Sequence, residues 1–536
     1  MPRKPILPAA VNNHIPAPVG GLNTISAMSN VPPTDALHLW NMIAGEYGLR
    51  VRFGYSEWVT GLTGAADNLV RSVLPFEASV PASSKLFVTT SSGIWDATTS
   101  TDSPTLLIAF AATTGDAGYG SSTMFVSNAD GGHTLVYCDE VNGLYYYRES
   151  TATWAKIAMG GGGTDISGVD PADFVYPFVF KGRLWFVERD SGSAWYLGAD
   201  ALFGAANEFK FGNHFRAGGH LVGLYPWTRD GGQGMDDTLV ALSAAGDILI
   251  YEVTDPSDPT GIAQKGLWYA GGLPEGRNIA SKIGGDLVIL TKGGSLPLSR
   301  LVTGQSTDDG QQYYTYKITN LFNKLMASTA SIRGWSIHTH PEEHTLVVTY
   351  PTQSEGSTEQ LTMSITGRSW STANLPIYSA GAYQGKFYFG TIDGRVCLNS
   401  GYLDNVQLSD SNSYTEIPFA VITSFQSLGG SNQMLTMARP YWQSDGGNVA
   451  YRLEARFDFD LTRPDAPAPD AGVNVGDVWD TGEWDTAVWA GDYSAVHDLV
   501  GATGVGKHVA VAIRGKSLAR TVLTGIDISS QRGGFL

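Results

Sequence analysis

Three histidines and two glutamates crowd into His338-Thr339-His340-Pro341-Glu342-Glu343-His344. A His-x-His pair on a strand sends both rings to one face, where a metal ion could take two nitrogens. The third ligand would be His344 or Glu343. Pro341 turns the chain between them, so a polar strand end is the plainer reading and no metal is assigned. Asp458 and Asp460 also share one strand face. They lack the glycine and the distal glutamate of a calcium loop.

Glycoside hydrolysis would need two carboxylates flanking one bond. The chain has 51 Asp and Glu residues, and no spacing singles out a pair. The stretch Ser364-Ile365-Thr366-Gly367-Arg368-Ser369-Trp370 has the turn-and-Trp shape of a sialidase-type blade, but Thr366 stands where its Asp belongs. A Gly-x-Ser-x-Gly elbow, a phosphate-cradling glycine loop and a Cys-x-x-Cys pair are all missing. The sequence therefore predicts a protein that is not an enzyme and needs no cofactor.

Trp479, Trp484 and Trp489 recur every five residues. They could stack on sugars or bases. That interval does not keep to one strand face, which favours packing or interface anchors. The final stretch carries Lys507, Arg514, Lys516, Arg520 and Arg532 against Asp527 alone. It suits phosphates, an acidic partner or simply a solvated face.

The elements that must position these residues read as strands. Tyr176–Leu197 contains three: Phe178–Phe180, a tight Lys181-Gly182 turn, Arg183–Val187, a loop at Arg189–Ser193, then Ala194–Leu197. Similar units begin near Lys85, His133, Asp237, Asp286, Thr345 and Lys386. Starts about 40 to 60 residues apart match the period of propeller blades. The expected fold is all-β: a β-propeller of six or seven irregular blades. Unrelated hairpins in a sandwich are the competing arrangement. Lys317–Ala330 is the best helix candidate, with Leu321, Phe322, Leu325 and Met326 at helical spacing.

Composition agrees. There are 65 Gly, 14 Trp and 24 Tyr in 536 residues, which suits many short strands and turns. The formal net charge is −17, which argues against a general nucleic-acid binder. Cys138 and Cys397 fall inside strand units and read as small buried apolar residues, not a disulfide framework. Arg3 and Lys4 precede prolines, a poor signal peptide, and no apolar run reaches membrane-spanning length. A soluble chain with no obvious secretion route is expected.

Residues 1–80 form a Pro- and Asn-rich arm, with a short helical turn predicted over Asp35–Met42. Residues 81–400 hold the repeats. Residues 401–536 turn to longer strands, interrupted by a Pro-rich linker at 463–472. The arm has too little periodic apolar content to fold alone. It is expected to join the C-terminal region in one β-rich platform, with the propeller inserted between them.

Several separate blocks resemble a family of tail proteins of short-tailed bacteriophages, the nozzle or tail tubular protein B family. They include PAPVGGLNT, VPPTDALHLWN, LRVRFGYSEWVTGL, FKGRLWFVERDSGSAWYLGADAL, GGHLVGLYPWTRDGGQGMDD, GDILIYEVTDPSDP, WDTGEWDTAVW and RGGFL. The resemblance implies a structural virion protein, assembled in the bacterial cytoplasm, that forms a six-fold ring at the distal end of the tail. Implied partners are five further copies, the head-to-tail adaptor ring, tail fibres or spikes, and genomic DNA passing through without sequence-specific binding. A propeller that binds or cleaves host surface glycans is the alternative. Under the ring reading, acidic glycine-rich loops at Asp230, Asp236 and Asp237, and at Asp308 and Asp309, are candidate channel or gate segments. Trp40, Trp58, Trp479, Trp484, Trp489, Arg514, Lys516 and Arg520 are candidate interface anchors.

Overall fold

The computed structural model describes residues 10–127, 132–230, 235–258, 261–303, 311–428, 432–445, 449–467 and 494–532. Almost all regular structure is strand. The Tyr176 unit shows why. Phe174–Phe180, Arg183–Glu188 and Ser193–Tyr196 pair antiparallel, and Asn207–Lys210 closes the sheet. Lys181 and Gly182 both take positive φ, 49° and 68°. That is the primed two-residue turn whose twist matches the flanking strands. Aromatic side chains fill both faces of this sheet, with Trp185, Phe186 and Phe174 nearly inaccessible.

Among the described residues, seven such antiparallel sheets follow one another. Their first strands are Ser72–Phe76, Gly120–Ser127, Phe174–Phe180, Leu221–Asp230, Ala280–Ile283, Ser336–His340 and Ser379–Tyr383. First strands of neighbouring sheets touch in sequence, except that Leu221–Asp230 meets the fifth sheet at Asp286–Thr291. Ser379–Tyr383 returns to touch Ser72–Phe76, so the ring closes. This is a β-propeller-like arrangement. The fifth sheet has three strands. Leu298–Val302 and the helix Thr319–Thr329 pack against its last strand. The helix falls within the stretch expected from its periodicity, and Phe322 and Met326 are buried.

The seventh sheet takes three strands from residues 379–399 and its fourth, Tyr55–Val59, from near the N-terminus. Trp58 sits in that seam. Its indole donates to the Ala97 carbonyl of the first sheet at 2.9 Å and meets Tyr388 edge-on at 5.4 Å. The ring thus begins inside the segment assigned to the arm, near residue 55 and not residue 81. The missed boundary has a physical cause. A strand whose partner lies far along the chain leaves no local hairpin signal.

Two larger sheets carry most of the remaining strands, while Ile166–Ser167 and Gly204–Ala205 form a short parallel pair of their own. One has seven, built around Gln433–Ser444 and Thr521–Arg532, with Val11–Pro16 and Leu49–Val51 pairing directly to Thr521–Arg532. The other continues the sixth ring sheet. Trp370–Ala373 lies beside Ala36–Trp40, which pairs with Ile417–Thr423, then His508–Ser517 and Ala450–Phe457. The helical turn expected at Asp35–Met42 is instead the strand Ala36–Trp40. Both of its edges find strand partners, and tertiary pairing overrides weak local helix signals. One apolar core links this region to the ring, with Trp442 against Phe419 and Trp370, Ile513 and Leu523 in the same cluster.

Candidate functional site

The histidine-rich stretch ends a ring strand and grips the arm. His340 is fully buried and stacks on Phe387 at 4.7 Å. Its Nδ1 accepts the Glu343 N–H at 3.1 Å, which leaves Nε2 to donate to Asn399 Oδ1 at 3.1 Å. The Glu343 carboxylate accepts from Arg50 Nη1 at 3.0 Å and from the Phe53 N–H at 2.7 Å. Among the described residues, no group of three or more His, Cys, Asp or Glu is placed to hold a metal. Asp458 accepts the N–H groups of Lys507 and His508, and Asp460 caps Thr462, so both carboxylates serve turns.

Beside that grip lies a denser one. Arg52 is 2% exposed at its side chain and bridges to Asp404. Its five N–H groups reach Asp404 Oδ1 and Oδ2, Asn41 Oδ1, Phe53 O and Asn374 Oδ1. Lys317 reaches Asp35 at 2.9 Å and so ties the helix region to the arm. Trp40 is half-buried in the nine-stranded sheet.

The other sequence candidates scatter. Asp230 and Asp236 belong to a paired hairpin, Leu221–Asp230 with Met235–Ser243, where a loop was expected. Asp237 in that hairpin accepts from the Thr228 hydroxyl. The connecting residues 231–234 lie outside the described residues, as do Asp308, Asp309, Trp479, Trp484 and Trp489. Arg514 donates to the Pro464 carbonyl at 3.4 Å, and Lys516 pairs with Glu416 at 3.1 Å. The Arg520 carbonyl accepts from the Asp445 N–H. Cys138 and Cys397 are buried free thiols, and burial pushes Cys397 up to about 12.

Two surfaces carry functional character. The first is the outer side of the seven-stranded sheet. Met434 and Val505 are register partners there, 43% and 53% exposed, with Met437 and Leu499 exposed beside them. The second is a cavity of about 420 Å³ lined by residues on and beside the first strands of five sheets. Its lining includes Arg71, Arg277 and Lys282, and no Asp or Glu. Arg277 is held from behind by Glu140 at 2.5 Å, and Arg71 by Asp67 at 2.7 Å. Tyr119 stands beside Arg277, its phenol pushed up to about 12 by burial. Sequence reasoning missed this wall because its residues come from five distant segments. The available signal was the small polar character of Gly120-Ser121-Ser122, Ala280-Ser281-Lys282 and Ser336-Ile337-His338 on strands that otherwise read as core.

No family model matches the chain, and no curated protein matches it. Solved structures with partial likeness include the computationally designed Ika8 protein. It is 10% identical, covers 64% of this chain and 99% of its own, and has a TM-score of 0.34. The extracellular domain of a hybrid two-component system, BT3049 of B. thetaiotaomicron, is 12% identical over 63% of this chain and 41% of its own, with a TM-score of 0.38. YCF48 bound to D1 peptide is 10% identical over 62% and 93%, with a TM-score of 0.36. Among the described residues no helix is long and apolar enough to cross a membrane.

Proposed function

We propose that the chain is a structural subunit of a bacteriophage tail nozzle, a ring of six copies through which DNA leaves. On this reading the seven small sheets are propeller blades, inserted into a platform that the two chain ends build together. The observation that carries the proposal is the exposed register pair Met434 and Val505 on the platform sheet, with Met437 and Leu499 exposed on the same two segments. Exposed apolar side chains gathered on one sheet are where another protein can pack. A permanent ring contact buries on the order of 2,000 Å² or more per pair. The sequence blocks cited above add support, since several of them lie in the arm and the C-terminal region. The adaptor ring and tail fibres or spikes would dock on the same assembly. The net charge of −17 suits a wall from which DNA phosphates slide.

The test is assembly. Purified protein, alone and with its tail partners, is sized by light scattering and viewed by negative-stain electron microscopy. Closed six-fold rings are expected. Met434→Lys with Val505→Lys should leave a folded monomer that no longer closes. A wild-type chain that stays monomeric at high concentration even with its partners, or a double variant that assembles normally, refutes the reading.

A further inference from the structure

One tie between the arm and the helix region carries a chemistry that the nozzle reading does not use. The Asp35 carboxylate is 1% exposed at its side chain and accepts on both oxygens. Oδ1 takes the Lys317 amine at 2.9 Å, and Oδ2 takes an N–H of the Asn23 carboxamide at 2.8 Å. A single buried carboxylate therefore holds an amine and a carboxamide beside each other. Lys317 Nζ also donates to the Gly20 carbonyl at 3.1 Å. A neutral amine has two N–H bonds and one lone pair, so these two acceptors would engage both hydrogens and leave the lone pair free. On the other side, Asn23 Oδ1 accepts the backbone N–H groups of Ile25 and Ser26 at 3.2 and 3.1 Å. Two such donors polarise the carbonyl and are placed to hold charge that develops on its oxygen. The two chain segments are pinned together, since the Thr24 N–H donates to the Lys317 carbonyl at 2.8 Å. Gly20 permits the approach, because an added Cβ would overlap Asp35 Oδ1.

We propose that Lys317 and Asn23 join in an intramolecular isopeptide bond, with Asp35 as the catalytic residue. Lys317 is 41% exposed at its side chain, so its ammonium can first release a proton to water. The lone pair of the neutral amine then attacks Asn23 Cγ, and the carbonyl π pair moves onto Oδ1 between the Ile25 and Ser26 N–H groups. Asp35 Oδ1 takes the proton that the amine sheds as the new N–C bond forms. When the carbonyl re-forms, the Cγ–Nδ2 bond breaks, and Asp35 returns that proton to Nδ2. Ammonia leaves and takes up a proton from water. The sum is one ammonium and one carboxamide giving one secondary amide and one ammonium ion, with Asp35 a carboxylate again. The step needs no oxidant and no cofactor. The fold supplies proximity, which replaces an encounter between two free groups. An ammonium has no lone pair, so the bond should form slowly after folding and faster as pH rises.

The experiment is mass spectrometry of the purified full chain, fresh and after prolonged incubation in mildly alkaline buffer. The intact mass should fall by one ammonia. A tryptic map should show a branched peptide that joins the fragment holding Asn23 to the fragment holding Lys317, with no cleavage after Lys317. On a denaturing gel the closed loop should migrate faster than the open chain. Lys317→Arg can keep the ion pair to Asp35 but cannot form the bond, so it should retain the full mass and the slower band. Asp35→Asn removes the group that moves the proton and should slow the reaction about a hundredfold or more. If Asp35→Asn fails to fold, the wild-type map and Lys317→Arg still decide the matter. The proposal is overturned if the incubated wild-type chain keeps its sequence mass and is cleaved normally after Lys317. It is also overturned if Lys317→Arg loses ammonia to the same extent, which would mean cyclisation of an asparagine on its own backbone. A folded Asp35→Asn variant that forms the branched peptide at the wild-type rate would overturn the role given to Asp35.

Discussion

Removing Asp404 should expose how strongly the arm is fastened. Its carboxylate receives two 2.8 Å bonds from the nearly inaccessible Arg52 guanidinium. Asp404→Asn keeps roughly the same volume but leaves a cation buried without its counter-charge. Breaking such a pair from one side costs about 3–5 kcal/mol. Pairing the change with Arg52→Met should restore most of that. The acceptors Arg52 abandons keep other donors: Asn41 Oδ1 has the Asn374 N–H, Asn374 Oδ1 has the Asn41 amide, and Phe53 O has Asn399 Nδ2. Arg52→Met alone would leave the Asp404 carboxylate unpaired and cost a similar amount, so a double variant within about 1–2 kcal/mol of wild type, the expected outcome, means a coupling of about 4 kcal/mol or more. Equilibrium urea unfolding followed by tryptophan fluorescence measures the total. Amide exchange over Ala36–Trp40 reports whether the loss is local to the arm. A single variant within 1 kcal/mol of wild type, or a double variant as unstable as the two singles summed, would refute the argument.

Three further outcomes can be checked. Trp58→Ala should remove the indole that fills the seam between the first and seventh sheets, costing about 3 kcal/mol, and proteolysis near residues 55–60 should accelerate; unchanged protection would mean the seam is not held there. Burial holds His38 and His338 near 4, against an ordinary value of 6.5. The unfolded chain therefore binds more protons between those values, and stability should fall as pH drops from about 6.5 to about 4. His38→Asn with His338→Gln should flatten that limb of a thermal-melt series, and an unaltered slope would exclude these histidines as its source. Gly246→Ala should destabilise the fourth sheet by about 2 kcal/mol or more, because its φ is 101° and an added Cβ would lie 1.9 Å from the Gly271 carbonyl oxygen; a melt within a degree of wild type would contradict this.

What could be read from the residues was local. The Tyr176–Leu197 unit is visible because aromatic runs, a primed turn and a polar loop lie within about twenty residues. The helix at Thr319–Thr329 is visible because its apolar residues keep helical spacing through a stretch free of strand alternation. What could not be read was long-range. Tyr55–Val59 looks like an isolated strand until Val396–Asn399 is placed beside it. Glu343 looks like a spare metal ligand until Arg50 and Phe53 arrive from nearly three hundred residues away. The cavity wall needs five segments at once. Asp230 and Asp236 differ for another reason: Asp is a loop signal, yet both lie in the paired strands Leu221–Asp230 and Met235–Ser243.

The borrowed strand in the seventh sheet also sets a clock. Tyr55–Val59 leaves the ribosome early, but Val396–Asn399 follows only after about 340 more residues, some 17 to 70 seconds at about 5–20 residues per second. Through that interval every earlier sheet exists without the neighbour that closes the circle. The C-terminal strands that pair with the arm emerge later still. The young chain is thus obliged to carry open strand edges for most of its synthesis, a period when edge-to-edge association with sister chains is the main hazard. Newly made protein should therefore depend on holdase chaperones far more than the finished ring does.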